Sequence, residues 1–255
     1  MVERRTLLLP GRFKPYVMAH RGNRTACPEN TLASFRRAYA DGADILETDL
    51  HLSADGVFMC IHDATVDRTT DGSGPVAEKT LAELKSLDAS GGRVGFAGER
   101  IPTLQETAHS LPADVALALE LKSDRFLDAE VCRRLATVLD ETGIRARTVV
   151  LSFSLARVRA VQAAAPDVAA GWITASGYRP IGGVQLLGPY WPLLLANPLY
   201  VAVAHARGQL VCPLDPAPER RLWLYRLLGC DAVLTDDPEK TVRVLGRASA
   251  KVAAR

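Results

Sequence analysis

Ionisable residues stand in pairs just past short apolar runs: His20-Arg21, Glu47-x-Asp49, His62-Asp63, Glu120-x-Lys122 and Asp236-Asp237. On a strand, residues two apart share a face, so Glu47 and Asp49 point one way together, and so do Glu120 and Lys122. Glu47 and Asp49, with Glu120 as a third carboxylate, make an oxygen-only donor set suited to one hard divalent cation, Ca²⁺ or Mg²⁺. As a purely structural pair, Glu120 and Lys122 would be costly to bury and would add little net stability. A metal ligand beside a cation for a phosphate oxygen explains them better. The Arg21 guanidinium matches phosphate in a bidentate way. His20 and His62 supply a general acid and a general base for opposite sides of a phosphorus atom. His51, His109 and His205 lack such a setting and are read as structural.

These residues must be brought together by the elements that precede them. The apolar runs 16–19, 43–46, 57–61, 115–119 and 232–234 read as buried parallel strands, and 149–153, 169–173, 184–187 and 210–212 add four more. Helix signals alternate with them. Pro28-Glu29 reads as a helix start, followed by Leu32, Phe35 and Tyr39 at helical spacing. Thr80-x-x-Glu83 and Thr103-x-x-Glu106 read as capping boxes. The segments 128–139, 155–165 and 220–228 read as further helices. Strand-helix alternation of this kind predicts a single-domain α/β fold, a TIM-type (β/α)8 barrel spanning 1–255. In such a barrel all strand C-termini open onto one mouth, where the ionisable pairs converge. Nine candidate strands compete for eight positions, and residues 45–63 also fit a hairpin turning at Asp55-Gly56. The glycine-rich stretch 67–98 reads as a loop excursion over the mouth.

Bulk properties exclude several classes. The 31 basic and 29 acidic residues nearly cancel, so no nucleic-acid partner is expected. The five cysteines form no C-x-x-C pair, and neither a disulfide framework nor a thiolate zinc site is signalled. Three leucines at 7–9 are too few for a signal-peptide core, which leaves a cytoplasmic location as the expectation. The most apolar long stretch, 186–204, is broken by prolines and is not read as a membrane span.

The ordered set His20-Arg21-Gly22, Pro28-Glu29-Asn30-Thr31, Glu47-x-Asp49, Asp55-Gly56, His62-Asp63, Arg68-Thr69-Thr70, Pro102-Thr103-Leu104, Glu120-x-Lys122, Ser152-Phe153 and Thr235-Asp236-x-Pro238 closely resembles the glycerophosphodiester phosphodiesterase family. The resemblance runs from about residue 18 to 238. It implies a TIM-type barrel that hydrolyses glycerophosphodiesters to glycerol 3-phosphate and an alcohol with one divalent cation, Ca²⁺ or Mg²⁺. It further implies Glu47, Asp49 and Glu120 as metal ligands, His20 and His62 as the acid-base pair, and Arg21 and Lys122 as phosphate contacts.

One stretch departs from the family pattern. Val211-Cys212-Pro213-Leu214-Asp215-Pro216 stands where the family carries a Trp-Thr-Val-Asn-like segment whose aromatic lines the substrate pocket. Trp172 is the candidate substitute, with a core tryptophan at least as strong a reading. The apolar, aromatic stretch 188–200 is read first as a packed loop and helix. The second reading is a lip that holds an acyl chain or touches a membrane surface, which would favour lysophospholipids and a lysophospholipase D-like or cyclising activity; membrane contact is not favoured. A third reading, from another class, is a phosphate-ligand binding protein without turnover.

Overall fold

The computed structural model describes residue 9 and residues 12–247. Among the described residues nine strands run β1 (Tyr16–His20), β2 (Ile45–Leu52), β3 (Phe58–Cys60), β4 (Ala116–Leu121), β5 (Thr148–Ser152), β6 (Ala169–Thr174), β7 (Leu186–Pro189), β8 (Leu210–Val211) and β9 (Ala232–Thr235). Eight of them pair in parallel in the order β8-β7-β6-β5-β4-β2-β1-β9. Between the two end strands, the Asp231 backbone N–H donates to the Val211 carbonyl (2.9 Å) and the Val211 N–H donates to the Asp231 carboxylate (2.8 Å). These two bonds draw the sheet into a nearly closed barrel.

The ninth candidate strand is β3, and it lies outside the parallel set. It pairs antiparallel with the far end of β2, with Leu50 opposite Cys60 and Leu52 opposite Phe58. At eight residues β2 outruns its neighbours, so the hairpin turning at 53–57 folds back on it. Gly56 has φ +82°, the conformation glycine adopts at least cost in a tight turn. The return path brings the Ile61 N–H to the Asp49 carbonyl at 3.0 Å, which lays His62 beside the mouth.

Nine helices flank the strands: α1 (Leu32–Ala40), α2 (Leu81–Ser86), α3 (Leu104–Ser110), α4 (Ala129–Glu141), α5 (Leu155–Ala164), α6 (Pro192–Ala196), α7 (Tyr200–His205), α8 (Leu222–Leu228) and α9 (Pro238–Val244) among the described residues. Both capping boxes read from the sequence form, at Thr80 and Thr103. The helix expected to open at Pro28-Glu29 begins later. Thr31 caps α1 through a capping box with Ser34, and residues 28–30 form a turn with other work. The β6–β7 connection carries no helix.

Alternate residues of each strand divide between two apolar clusters. Tyr16, Met18, Ile45, Ala118, Leu151, Ile173, Leu186, Cys212 and Leu234 fill the barrel interior. Leu46, Leu50, Leu117, Leu119, Val150, Leu187, Val211 and Val233 face the helices. The excursion 67–98 is held by a third cluster, including Val66, Val76, Leu84 and Ile101 packed with Met59 and Ile61 of the hairpin. All five cysteines are buried and free, and among the described residues no helix is long and apolar enough to cross a membrane.

Candidate active site

The interior register continues to the mouth and decides which side chains reach it. The face that carries Tyr16 and Met18 on β1 also carries His20. Ile45 is followed on its face by Glu47 and Asp49, and Ala118 by Glu120 and Lys122. One carboxylate oxygen from each of Glu47, Asp49 and Glu120 lies within 4.8 Å of the others. Glu47 and Asp49 are buried.

The turn after β1 is shaped by backbone strain. Arg21 (φ +57°) and Asn30 (φ +52°) are the only described non-glycine residues in the left-handed region. Such conformations cost of the order of 1–3 kcal/mol each and collect at functional sites. Here each places a polar group on β2. The Arg21 N–H donates to Glu47 Oε2 at 3.0 Å, and its Nε lies 3.2 Å from Asp49 Oδ2. Asn30 Nδ2 donates to the same Asp49 oxygen at 2.9 Å, while Asn30 Oδ1 accepts from the Thr48 hydroxyl at 2.7 Å. A side chain at Gly22 would collide with Ser34, because a Cβ would lie 2.5 Å from the Ser34 hydroxyl oxygen.

Charge is balanced at close range. Lys122 Nζ lies 3.3 Å from Asp49 Oδ1 and 2.9 Å from Glu120 Oε1. Burial and the neighbouring Asp49 and Glu120 carboxylates push the Glu47 carboxyl well above its ordinary range. Burial also raises Glu120, although Lys122 works against it. Burial has the same tendency at Asp49, but there Lys122 and Arg21 prevail and hold the carboxyl below its ordinary range. Asp49 Oδ1 is nonetheless buried without a hydrogen bond. A buried carboxylate oxygen open to a ligand, in an all-oxygen trio, fits a hard divalent cation.

Both histidines are backed by carboxylates. His20 Nδ1 donates to Asp236 Oδ1 and His62 Nδ1 donates to Asp63 Oδ1, each at 2.6 Å. Such a bond fixes the tautomer and leaves Nε2 for a ligand. Burial lowers the His62 pKa in spite of Asp49 and Asp63. His51 donates through Nε2 to the His62 carbonyl at 3.1 Å. His205 bonds to Asp231 at the opposite end of β9, and His109 lies on α3.

Glu29 links the mouth to the excursion, in a way the sequence reading missed. It accepts from Arg21 (2.9 Å) and Arg68 (2.8 Å) and lies 3.2 Å from Arg24. Arg68 in turn bonds Asp63, the partner of His62. Asn30 was also missed as a site-shaping residue, and Asp236, expected at the mouth, was given no role. The Pro-Glu-Asn-Thr and Thr-Asp-x-Pro motifs were the available signal.

His20, Glu47 and Glu120 share one narrow, solvent-open cleft with Leu151, Ile173, Leu186, Gly188, Cys212, Pro213, Leu214 and Leu234. Trp172 is not part of it, contrary to the expectation that it replaces the missing aromatic. Its neighbour Ile173 takes the interior face of β6, so Trp172 packs among the helix-facing residues, with Nε1 donating to the Phe153 carbonyl at 3.3 Å. Pro213 and Leu214 stand in the altered stretch instead.

A parallel barrel whose mouth gathers carboxylates, cations and carboxylate-backed histidines is the frame of an enzyme for phosphoric esters. The model of the glycerophosphoryl diester phosphodiesterase family matches residues 20–240. A glycerophosphodiester phosphodiesterase of Caldanaerobacter subterraneus subsp. tengcongensis is 35% identical over 244 residues, covering 91% of this chain and 98% of that protein. An Oleispira antarctica phosphodiesterase, solved in complex with the product sn-glycerol-3-phosphate, superposes with TM-score 0.82 at 30% identity, over 91% of this chain and 97% of that one. A glycerophosphodiester phosphodiesterase from Agrobacterium tumefaciens superposes with TM-score 0.77 at 27% identity, over 89% and 98%. The chain belongs to the glycerophosphodiester phosphodiesterase family and is a phosphoric diester hydrolase.

Proposed function

We propose that this enzyme hydrolyses glycerophosphodiesters to glycerol 3-phosphate and an alcohol with the help of one divalent cation, Ca²⁺ or Mg²⁺. The observation that carries the reading is the trio Glu47, Asp49 and Glu120, with ligand oxygens within 4.8 Å of one another beside Arg21 and Lys122. The product bound by the Oleispira antarctica relative supports a glycerophosphate substrate.

Glu47, Asp49 and Glu120 would hold the cation, which when bound neutralises charge on the phosphoryl oxygens and orients the diester. Arg21 and Lys122 bind the remaining phosphoryl charge from two sides of Asp49. His20 and His62 handle protons. As the attacking oxygen bonds to phosphorus, one histidine takes its proton at Nε2. As the phosphorus–oxygen bond to the alcohol breaks, the other gives a proton to the departing oxygen. Asp236 and Asp63 keep each ring in the tautomer that leaves Nε2 free.

The test is release of choline from glycerophosphocholine with and without EDTA, followed by added Ca²⁺ or Mg²⁺. Chelator-sensitive release restored by either cation is the expected result. Undiminished turnover in EDTA would sink the metal reading, and absence of any turnover with metal would sink the substrate reading.

A further inference from the structure

A second cavity opens beside the mouth, and it shares no lining residue with the cleft of His20, Glu47 and Glu120. It holds about 180 Å³, the share of roughly six water molecules in the liquid. The turn before α1 supplies Arg24 and Glu29 to one side. The excursion supplies Arg68, Thr69, Ser90 and Arg93 to the other. Three guanidiniums against one carboxylate leave the lining with a net charge of +2.

Cations held this close repel one another unless an anion lies among them. Glu29 supplies only one negative charge, and it is shared: it lies 3.2 Å from Arg24, 2.8 Å from Arg68 and 2.9 Å from Arg21 outside the cavity. Arg93 has a scaffold role. It donates to the carbonyls of Arg24 at 2.9 Å, Thr25 at 2.6 Å and Cys27, which pins the turn to the excursion and fixes the cavity's walls.

Arg24 and Arg68 retain donors. Arg68 gives Nε and Nη2 to Asp63 and Glu29, and among the described residues its Nη1 has no hydrogen-bond partner. Arg24 meets Glu29 at 3.2 Å and Asp236 at 3.7 Å as ion pairs only. The two side chains are 30% and 46% exposed, so solvent reaches both. Ser90 Oγ accepts from the Gly92 N–H at 3.3 Å, which leaves its own proton to donate. Guanidinium forks match phosphate oxygens in pairs, and hydroxyls rotate to complete the shell. A neutral or cationic ligand would leave the +2 lining uncompensated.

The cavity adjoins the reacting groups without containing them. Arg21, on the cleft side, and Arg68, on the cavity side, donate to the same Glu29 oxygen. Asp63 joins Arg68 to His62, and Asp236 stands between Arg24 and His20. A phosphate beside Arg24 and Arg68 is thus one carboxylate away from the phosphate to be cleaved.

We propose that this cavity binds a phosphate group other than the one being hydrolysed. That group is a free dianion or a second phosphate on the alcohol half of the diester; the latter source rests on the phosphodiesterase reading above.

Two arms separate the sources, each run on wild type, Arg24→Gln, Thr69→Asp and Arg220→Gln. The Thr69 hydroxyl makes no hydrogen bond among the described residues, so its replacement breaks none. Arg220 is an exposed cation outside the cavity and controls for net charge. The first arm follows the melting point in EDTA with inorganic phosphate or with chloride at equal ionic strength. A free-phosphate site should raise it by about 2–4 °C in wild type and Arg220→Gln, and by less than half as much in the other two. The second arm compares kcat/KM, with Mg²⁺, for glycerophosphoglycerol and for the same diester phosphorylated on its alcohol half. A substrate-borne phosphate should favour the phosphorylated diester by about tenfold in wild type and Arg220→Gln, and that ratio should fall toward one in the two cavity variants. A response in either arm supports the site and names its source. No response in both, or an equal loss in Arg220→Gln, would overturn it. No hydrolysis of either diester would overturn the phosphodiesterase reading, and the melting arm would still decide the cavity.

Discussion

The two halves of the barrel mouth are built from the same kind of element and do opposite things. On β9, β1, β2 and β4 the last interior-facing residues are charged, and each is tied to a neighbour: His20 to Asp236, Glu47 to the Arg21 backbone, Glu120 to Lys122. On β5 to β8 the equivalent residues are carbon-rich and only Tyr190 carries a hydroxyl. Parallel pairing alone makes this possible, because every strand ends at one level and its alternation fixes which side chain arrives there. The strand scaffold is common to both halves. What differs is the cost of arrival: the charged half needs left-handed backbone at Arg21 and Asn30, whereas β5 to β8 end with no non-glycine residue in that region among those described.

The largest expected effects come from the charged half. His20→Ala or His62→Ala should lower kcat by about 10²–10⁴-fold, the range for a lost acid or base, with the fold unchanged by circular dichroism. Near-normal turnover in either variant would remove that histidine from the chemistry. Next, Asp236→Asn should lower kcat by about tenfold to a hundredfold through loss of the correct His20 tautomer, with little change in KM. If only thermal stability changed, Asp236 would be structural, and the comparison would lose one of its catalytic supports.

The apolar half should respond in stability instead. Asp215 is buried and serves Arg221 and Tyr225 at once, with the Tyr225 hydroxyl donating at 2.5 Å. Asp215→Ala leaves both donors without that partner and should cost about 2 kcal/mol, discounted because Arg221 is partly exposed. For a chain of this size that is a melting point lower by roughly 4–8 °C. An unchanged melting point would show that the segment between β8 and α8 does not depend on this anchor.

How much of this division was legible in the sequence follows from what alternation can and cannot convey. The carboxylates at 47, 49 and 120, with Lys122, were readable because pairs two apart on an apolar strand have one face to share. The eight parallel strands were readable for the same reason. For Trp172 the core reading holds and the substrate-lining one does not, because its register is set by pairing with β5, where Ser152 lies opposite it and also faces outward. The run 57–61 fits both a parallel strand and the return arm of a hairpin turning at Asp55-Gly56, and composition does not choose between them; the long β2 does, and the hairpin forms. Pro28-Glu29 reads as no more than a helix start. The real partners of Glu29, which are Arg21, Arg24 and Arg68, come together only after folding.

Glu29 also gives the smallest and sharpest test of the charged half. Burial works to raise its pKa, but Arg68, Arg21 and Arg24 prevail and lower it from the ordinary 4.5 to about 2. The folded state therefore binds this proton more weakly than the unfolded chain. Its stabilising contribution is fully present above pH 4.5 and is lost as pH falls from there toward 2. Wild type should lose a few degrees of melting temperature across that window through this group, and Glu29→Gln should lose correspondingly less while melting lower at pH 7. Parallel melting curves for the two proteins from pH 5 to 3 would mean that the arginine cluster does not hold Glu29 ionised, and that the left-handed turn at Arg21 is supported by Glu47 and Asp49 alone.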